Sequence, residues 1–165
     1  PDLLLRKKVD EILAISDFKE RVIAYKNNTE KFNKILLKNS IIEGKALVID
    51  FRGKKAMTIG NRFIEYVLYH KQNISIRLVD GNKRNFVMIS IGHSIINRSS
   101  DVNIGNLLLR YAGGGHQHAG TCQVPCREVN GILREILDVI NKKDTHSNAI
   151  LPKKHTRTET ALNSF

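Results

Sequence analysis

A chain of 165 residues, 41% hydrophobic and 26% charged, carries enough apolar material for one ordinary domain and has neither a disordered nor a fibrous composition. Lys and Arg outnumber Asp and Glu by 27 to 16, and five of the basic and two of the acidic residues fall in 142–165, so +8 of the net +11 stays on the rest of the chain. No apolar run approaches the ~20 residues of a membrane-spanning helix, PDLLLRKK does not read as a secretory leader so export is not expected, and two cysteines make no disulfide framework, so a cytoplasmic protein away from membranes is expected.

Pro1 rather than Met opens the chain, which leads us to expect a piece of something longer. Leu5, Val9, Ile12 and Leu13, then Phe18 and Val22, then Phe32, Ile35 and Leu36 recur at helical spacing over the first forty residues. Asp17 followed by Glu20 reads as a helix restart, and Asn27-Asn28 as a kink or break. Residues 1–44 are therefore expected to be a helical extension. ALVIDF (46–51) is a β-rich run closed by Arg52-Gly53-Lys54, and a weaker strand is expected over Ala56 to Ile59. Arg62 to His70 suits a short helix. ISIRLV (74–79) and NFVMISIG (85–92), joined through Asp80-Gly81, form the clearest hairpin, with Ile74, Ile76 and Leu78 on one face and Ser75, Arg77 and Val79 on the other.

Beyond a polar break at Asn97 to Asp101, Ile104, Leu107, Leu108 and Tyr111 mark a helix that Asp101 would cap. Ala112 and three glycines end it. AGTCQV (119–124) is a strand, Arg127 to Ile140 an amphipathic helix, and 142–165 a flexible basic tail. The fold class expected is α/β, a mixed β-sheet flanked by helices and preceded by a helical segment, with the main domain over 45–141.

The stretch YAGGGHQHAGTCQV (111–124) concentrates glycine, histidine and cysteine and admits three readings. One glycine suffices for a helix C-cap, and three in a row raise the ordering cost, which points to close approach of the backbone to something. Successive amides there can cradle an anion, and His116 can add a charged hydrogen bond. Zinc held by His116, His118, Cys122 and Cys126 is the third reading; Cys122 lies inside an apolar strand, where packing accounts for it. The charge excess makes polyanions the partner class, with solubility the competing explanation.

GGGHQHAG, preceded by SIGHSIINRSSDVNIGNLLLRYA (90–112), resembles the C-terminal half of the DHH-superfamily phosphoesterases, the DHH-associated domain of type one. It is most similar to the exopolyphosphatase-related group, akin to nano-RNA and phosphoadenosine-phosphate hydrolases, over residues 45 to 141. The resemblance implies a two-domain hydrolase whose N-terminal half holds Mn2+ through Asp and His ligands, while this half grips a short oligonucleotide or a phosphorylated nucleotide. No Asp-His-His triplet occurs in this chain and its six histidines are scattered, so the catalytic half is expected to be missing, with no metal site and no catalytic residue here. By motif position Gly113, Gly114, Gly115 and His116 carry over as the gripping loop. Ala112 stands where many members have a first glycine, and Ala119-Gly120-Thr121 where Ala-Ala-Gly is common. A Ser-x-Arg-Ser strand end becomes Ser90-Ile91-Gly92-His93-Ser94, leaving His93 or Arg98 to supply the phosphate contact. The alternative reading is a stand-alone nucleic-acid-binding module.

Overall fold

The computed structural model describes residues 8–54, 61, 63–81 and 85–142. Two helices lead, α1 (Val9–Leu13) and α2 (Ser16–Lys38). The break between them falls at Ala14-Ile15, and no side chain caps α2, so Asp17 and Glu20 do not form the expected restart box. Asn27-Asn28 lie exposed within the continuous α2. Asn costs only tenths of a kcal/mol against good helix formers, too little to interrupt a helix anchored further on. That anchor is Phe32 and Leu36, the two buried residues of α2.

Asn39 separates α2 from β1 (Ser40–Glu43), which turns through Gly44-Lys45 into β2 (Ala46–Asp50). Gly44 sits at φ +62, a left-handed conformation that a side chain disfavours. The side chain of Asn141 fixes this turn, accepting from the Lys45 N–H at 2.8 Å and donating to the Glu43 carbonyl at 3.1 Å. Next come α3 (Ile64–Leu68), β3 (Ile74–Asp80), β4 (Phe86–His93), α4 (Ile104–Leu109), β5 (Gly114–His116), β6 (Ala119–Pro125) and α5 (Val129–Asn141). The expected strand at Ala56 to Ile59 and all but the first residue of the expected tail lie outside the described residues.

The six strands form one mixed sheet in the order β1-β2-β3-β4-β6-β5. Only the β2–β3 neighbours run parallel; every other pair is antiparallel. The α/β class with a helical lead-in is as expected. β1 and β5 are additions, for four and three residues give too little alternation to read, and two of β5's three are glycine.

The two faces of the sheet are covered unequally. Ile74, Ile76 and Leu78 join Val87, Ile89, Ile91, Cys122 and Val124 beneath α4 and α5, forming the larger core. On the opposite face Leu47, Ile49 and Phe51 bury against Phe32 and Leu36 of α2. Each such side chain contributes about 1.5–3 kcal/mol when fully buried. That second cover stops short of β4 and β6: Met88, Ser90 and Gly92 are half-buried, and Ala119, Thr121 and Gln123 are exposed.

Asn103, not Asp101, caps α4, its side-chain oxygen accepting from the Asn106 N–H at 3.0 Å. Asp101 lies two residues too early. At the other end Ala112 takes φ +53, and the Gly113 N–H donates to the Leu108 carbonyl at 3.0 Å. An alanine thus occupies the left-handed position where glycine is the usual helix terminator. Ala112→Gly should stabilise the chain by about 1 kcal/mol, the relief of left-handed strain exceeding the added unfolded-state entropy. Urea unfolding would show this, and an unchanged or lowered midpoint would exclude strain at Ala112.

Candidate functional site

The glycine stretch folds as a β-hairpin laid over the start of α4. β5 and β6 pair with Gly114 opposite Thr121 and His116 opposite Ala119, leaving Gln117-His118 as the turn. Its two carbonyls are both used: Gln117 accepts from the Ile104 N–H at 3.0 Å, and His118 accepts from the His93 N–H at 2.8 Å. The hairpin tip is thereby tied to the first turn of α4 and to the last residue of β4. Close approach of backbones makes this possible. A methyl group on Gly105 would lie 2.7 Å from the Gly115 carbonyl oxygen, and one on Gly115 would lie 2.3 Å from the Ala119 carbonyl oxygen.

Gly113 and Gly114 differ in kind. A side chain on Gly113 would run into the Cβ of Cys122 at 2.4 Å, whereas nothing lies within 4 Å of the equivalent point on Gly114. Packing explains the glycine at 113. Among the described residues, nothing in the fold demands one at 114.

Where α2 and α3 no longer cover the sheet, an open concavity of about 640 Å³ remains. Gly114, Gly115 and His116 form one wall, His93 and His118 an adjoining one, and Ser75, Ser90 and Thr121 the floor. The far side carries the Glu65–Arg77 ion pair, with the Arg77 Nε donating to Glu65 Oε2 at 2.9 Å and Glu65 only 1% exposed. Tyr66 and Ser75 share a hydroxyl–hydroxyl hydrogen bond at 3.0 Å beside it. A second cavity of about 240 Å³ adjoins, lined by Ser94, Arg98 and Ser100 together with the same two histidines.

The structure therefore brings four of the expected residues, Gly114, Gly115, His116 and His93, around one concavity. Gly113 falls behind it, its N–H spent on the Leu108 carbonyl. Arg98 stands in the adjoining cavity, exposed, with its Nε donating to the Ile95 carbonyl at 3.2 Å. His118 and the Glu65–Arg77 pair are additions. Strand alternation put Ser75 and Arg77 on the outer face of β3, a signal that was legible; nothing in the sequence showed that His118 would meet His93.

Those two rings meet edge to face, centroids 4.9 Å apart. Nε2 of His93 lies 2.9 Å from the Val102 carbonyl oxygen, and its Nδ1 lies 3.2 Å from Nδ1 of His118. A carbonyl only accepts, so Nε2 of His93 carries a proton. Burial holds the His93 pKa below the usual imidazole value, the Val102 carbonyl opposing this and His118 reinforcing it. His93 is then neutral at pH 7, its Nδ1 is the acceptor, and His118 donates from Nδ1. The depressed pKa means that the unfolded chain takes up the proton first, so stability is lost as pH falls from about 6.5 toward the lower folded value. The melting temperature should drop between pH 7.5 and 5.5, and His93→Asn should shrink that drop. Equal drops for both proteins would refute the assignment.

Among the described residues no three His, Cys, Asp or Glu side chains converge to hold a metal ion. Cys122 faces the core beneath α4 and α5, and burial pushes its thiol up to about 11, while Cys126 is exposed. His116, His118, Cys122 and Cys126 thus do not form a donor set that fits zinc. No described helix is long and apolar enough to cross a membrane.

No family model matches the chain, and no match is found among curated proteins. Solved structures do match. An exopolyphosphatase-related protein from Bacteroides fragilis superposes with a TM-score of 0.50 at 12% identity, over 69% of this chain and 35% of that one. The DHH domain of a member of the S1P family of ribosomal proteins gives 0.53 at 15%, over 71% and 31%. These two share the fold. A third shares sequence as well, with 35% identity and a TM-score of 0.80 over 85% of this chain. The chain belongs to the DHH superfamily, as its C-terminal, DHH-associated type of domain. The structure that matches at 35% is the pGpG-specific phosphodiesterase PggH from Vibrio cholerae, of whose length the chain spans 48%.

Proposed function

We propose that this chain is the substrate-gripping half of a DHH-type phosphoesterase and that the concavity on its bare sheet face receives a short, phosphate-bearing nucleotide. Space beside Gly114 carries this reading: a ligand backbone or phosphate can approach there where any side chain would intrude, and the fold itself leaves the point empty. His116, exposed at the end of β5, supplies a hydrogen-bond donor whose imidazolium form suits a phosphate oxygen. The net charge of +11 adds a long-range attraction for such anions. The 35% identity to a pGpG-specific phosphodiesterase supports a linear dinucleotide as the ligand class.

Hydrolysis belongs to a second domain. A manganese-binding half carrying the Asp-His-His triplet would face this cavity and supply a metal-activated water. This half binds, orients and excludes water from the far end of the substrate. On that reading the chain binds pGpG without cleaving it, and a cytoplasmic protein with a nucleotide substrate follows.

Two substitutions test the grip. Gly114→Ala adds a methyl group where the fold has room, so the melting temperature should stay within about 2 °C of the parent. His116→Ala removes one charge-assisted hydrogen bond, worth about 1.5–3 kcal/mol. Each should weaken pGpG binding about tenfold or more in calorimetric titration. Undiminished affinity in both variants would sink the proposed grip. The charge excess also favours a second reading, a stand-alone nucleic-acid binder. Binding would then strengthen with strand length and fall with salt at a log–log slope near about −0.7 per phosphate neutralised. Equal affinity for pGpG and for a long single strand excludes it.

A further inference from the structure

His93 and His118, together with Ile95, line both cavities and form the wall between them. We propose that this pair makes ligand binding proton-linked: an anion entering either cavity draws one proton from bulk water onto Nε2 of His118, with His93 as the positioning residue that holds the ring to receive it. The proposal rests on the nucleotide-binding reading above and adds to it a second binding residue, His118, and a chemical requirement, a phosphate or phosphodiester oxygen able to accept from an imidazolium.

The geometry fixes where each proton can be. The Val102 carbonyl, 2.9 Å away, occupies the Nε2–H of His93, so a neutral His93 has only a lone pair at Nδ1. His118 lies 3.2 Å from that lone pair through its own Nδ1, and only one arrangement makes this a hydrogen bond, His118 Nδ1–H donating. The neutral form of His118 that fits is the one protonated at Nδ1, with Nε2 a bare acceptor. Among the described residues, that Nε2 has no hydrogen-bond partner. His93 cannot take the next proton without losing its role as acceptor, and its burial disfavours the charged ring. His118 is exposed, in a turn, and can take it. Protonated there, His118 keeps its bond to His93 and gains a second N–H. The pair accepts one proton, not two.

The surrounding groups determine the sign. On the loop after β4, Arg98 lines the smaller cavity together with His118, while Asp101 lies near enough to favour charge on His93. His116 stands on the same hairpin, and Glu65 and Arg77 across the larger cavity are already paired with each other. A phosphate entering beside Arg98 and His118 pulls toward the charged ring, because an anion within a few ångströms favours the protonated imidazole. Affinity should therefore rise as pH falls from 8 toward 6, with the increase assigned to His118.

Calorimetric titration of the chain with pGpG in two buffers of different ionisation enthalpy reads the proton uptake directly, and imidazole 15N NMR reads the tautomers. We expect fractional uptake tending to about one proton per ligand at neutral pH, with free His93 in the Nε2–H and free His118 in the Nδ1–H form. His118→Phe should abolish most of that uptake and weaken binding about tenfold at pH 6 with little change at pH 8. His93→Phe, which keeps a ring but offers no acceptor, should lower the uptake, and His93→Asn, which retains an acceptor near Nδ1, should restore part of it. Binding with no proton uptake, or uptake that survives His118→Phe and vanishes in His116→Ala, overturns the proposal while leaving the nucleotide site intact. No binding of pGpG by the parent chain under any of these conditions would instead remove the nucleotide reading on which it rests.

Discussion

Contact between backbones at the glycine hairpin is the constraint on which the site depends. Gly105 of α4 lies against Gly115 of β5, Gly115 against Ala119 and Gly120 of β6, and Gly113 against Cys122. A Cβ at any of these would lie closer to its neighbour than real Cβ atoms do, so the hairpin, its partner strand or α4 would have to shift. The turn carbonyls of Gln117 and His118 then lock the tip to Ile104 and His93. A loop of three glycines is a poor structure alone, since ordering glycine costs more entropy than ordering any other residue. Here the cost is offset by hydrogen bonds at both ends and by the core beneath.

The same constraint explains a division of labour within one short stretch. Gly113 ends a helix with the help of a left-handed Ala112, Gly115 permits the close hairpin, and Gly114 alone has open space in front of it. Open space beside Gly114, the exposed His116 and the sheet face that α2 and α3 leave bare together make the site. That bare face is itself a consequence of the helical lead-in. Phe32 and Leu36 cover β2, Tyr66 and Glu65 reach β3 through Ser75 and Arg77, and no described helix goes further.

Much of this was legible in the sequence, and the exceptions have physical causes. Alternation in ISIRLV and NFVMISIG makes the central hairpin legible, and in ISIRLV the division of the residues between two faces, because period-two burial leaves a direct imprint. The stripe Ile104, Leu107, Leu108 gave α4, and the motif GGGHQHAG gave the family. Short strands left no such imprint: β1 has four residues and β5 three, too few to show alternation, though each pairs with the strand that follows it. The cap of α4 was misplaced because Asp101 and Asn103 are both good cap residues, and only the backbone decides between them. Asn27-Asn28 looked like a break because local propensity was weighed without the distant anchor at Phe32 and Leu36. His93 and His118, 25 positions apart, meet through the β4–β6 register, which no local pattern encodes.

Amide NMR titration of the chain with pGpG tests the central claim most directly. Shift changes should concentrate on Gly114, Gly115 and His116, extend to Gly92, His93 and Thr121 across the concavity, and leave α5 and β1 unmoved. Changes centred on α5 or β1, or none at millimolar ligand, would contradict the assignment of this sheet face as the nucleotide site.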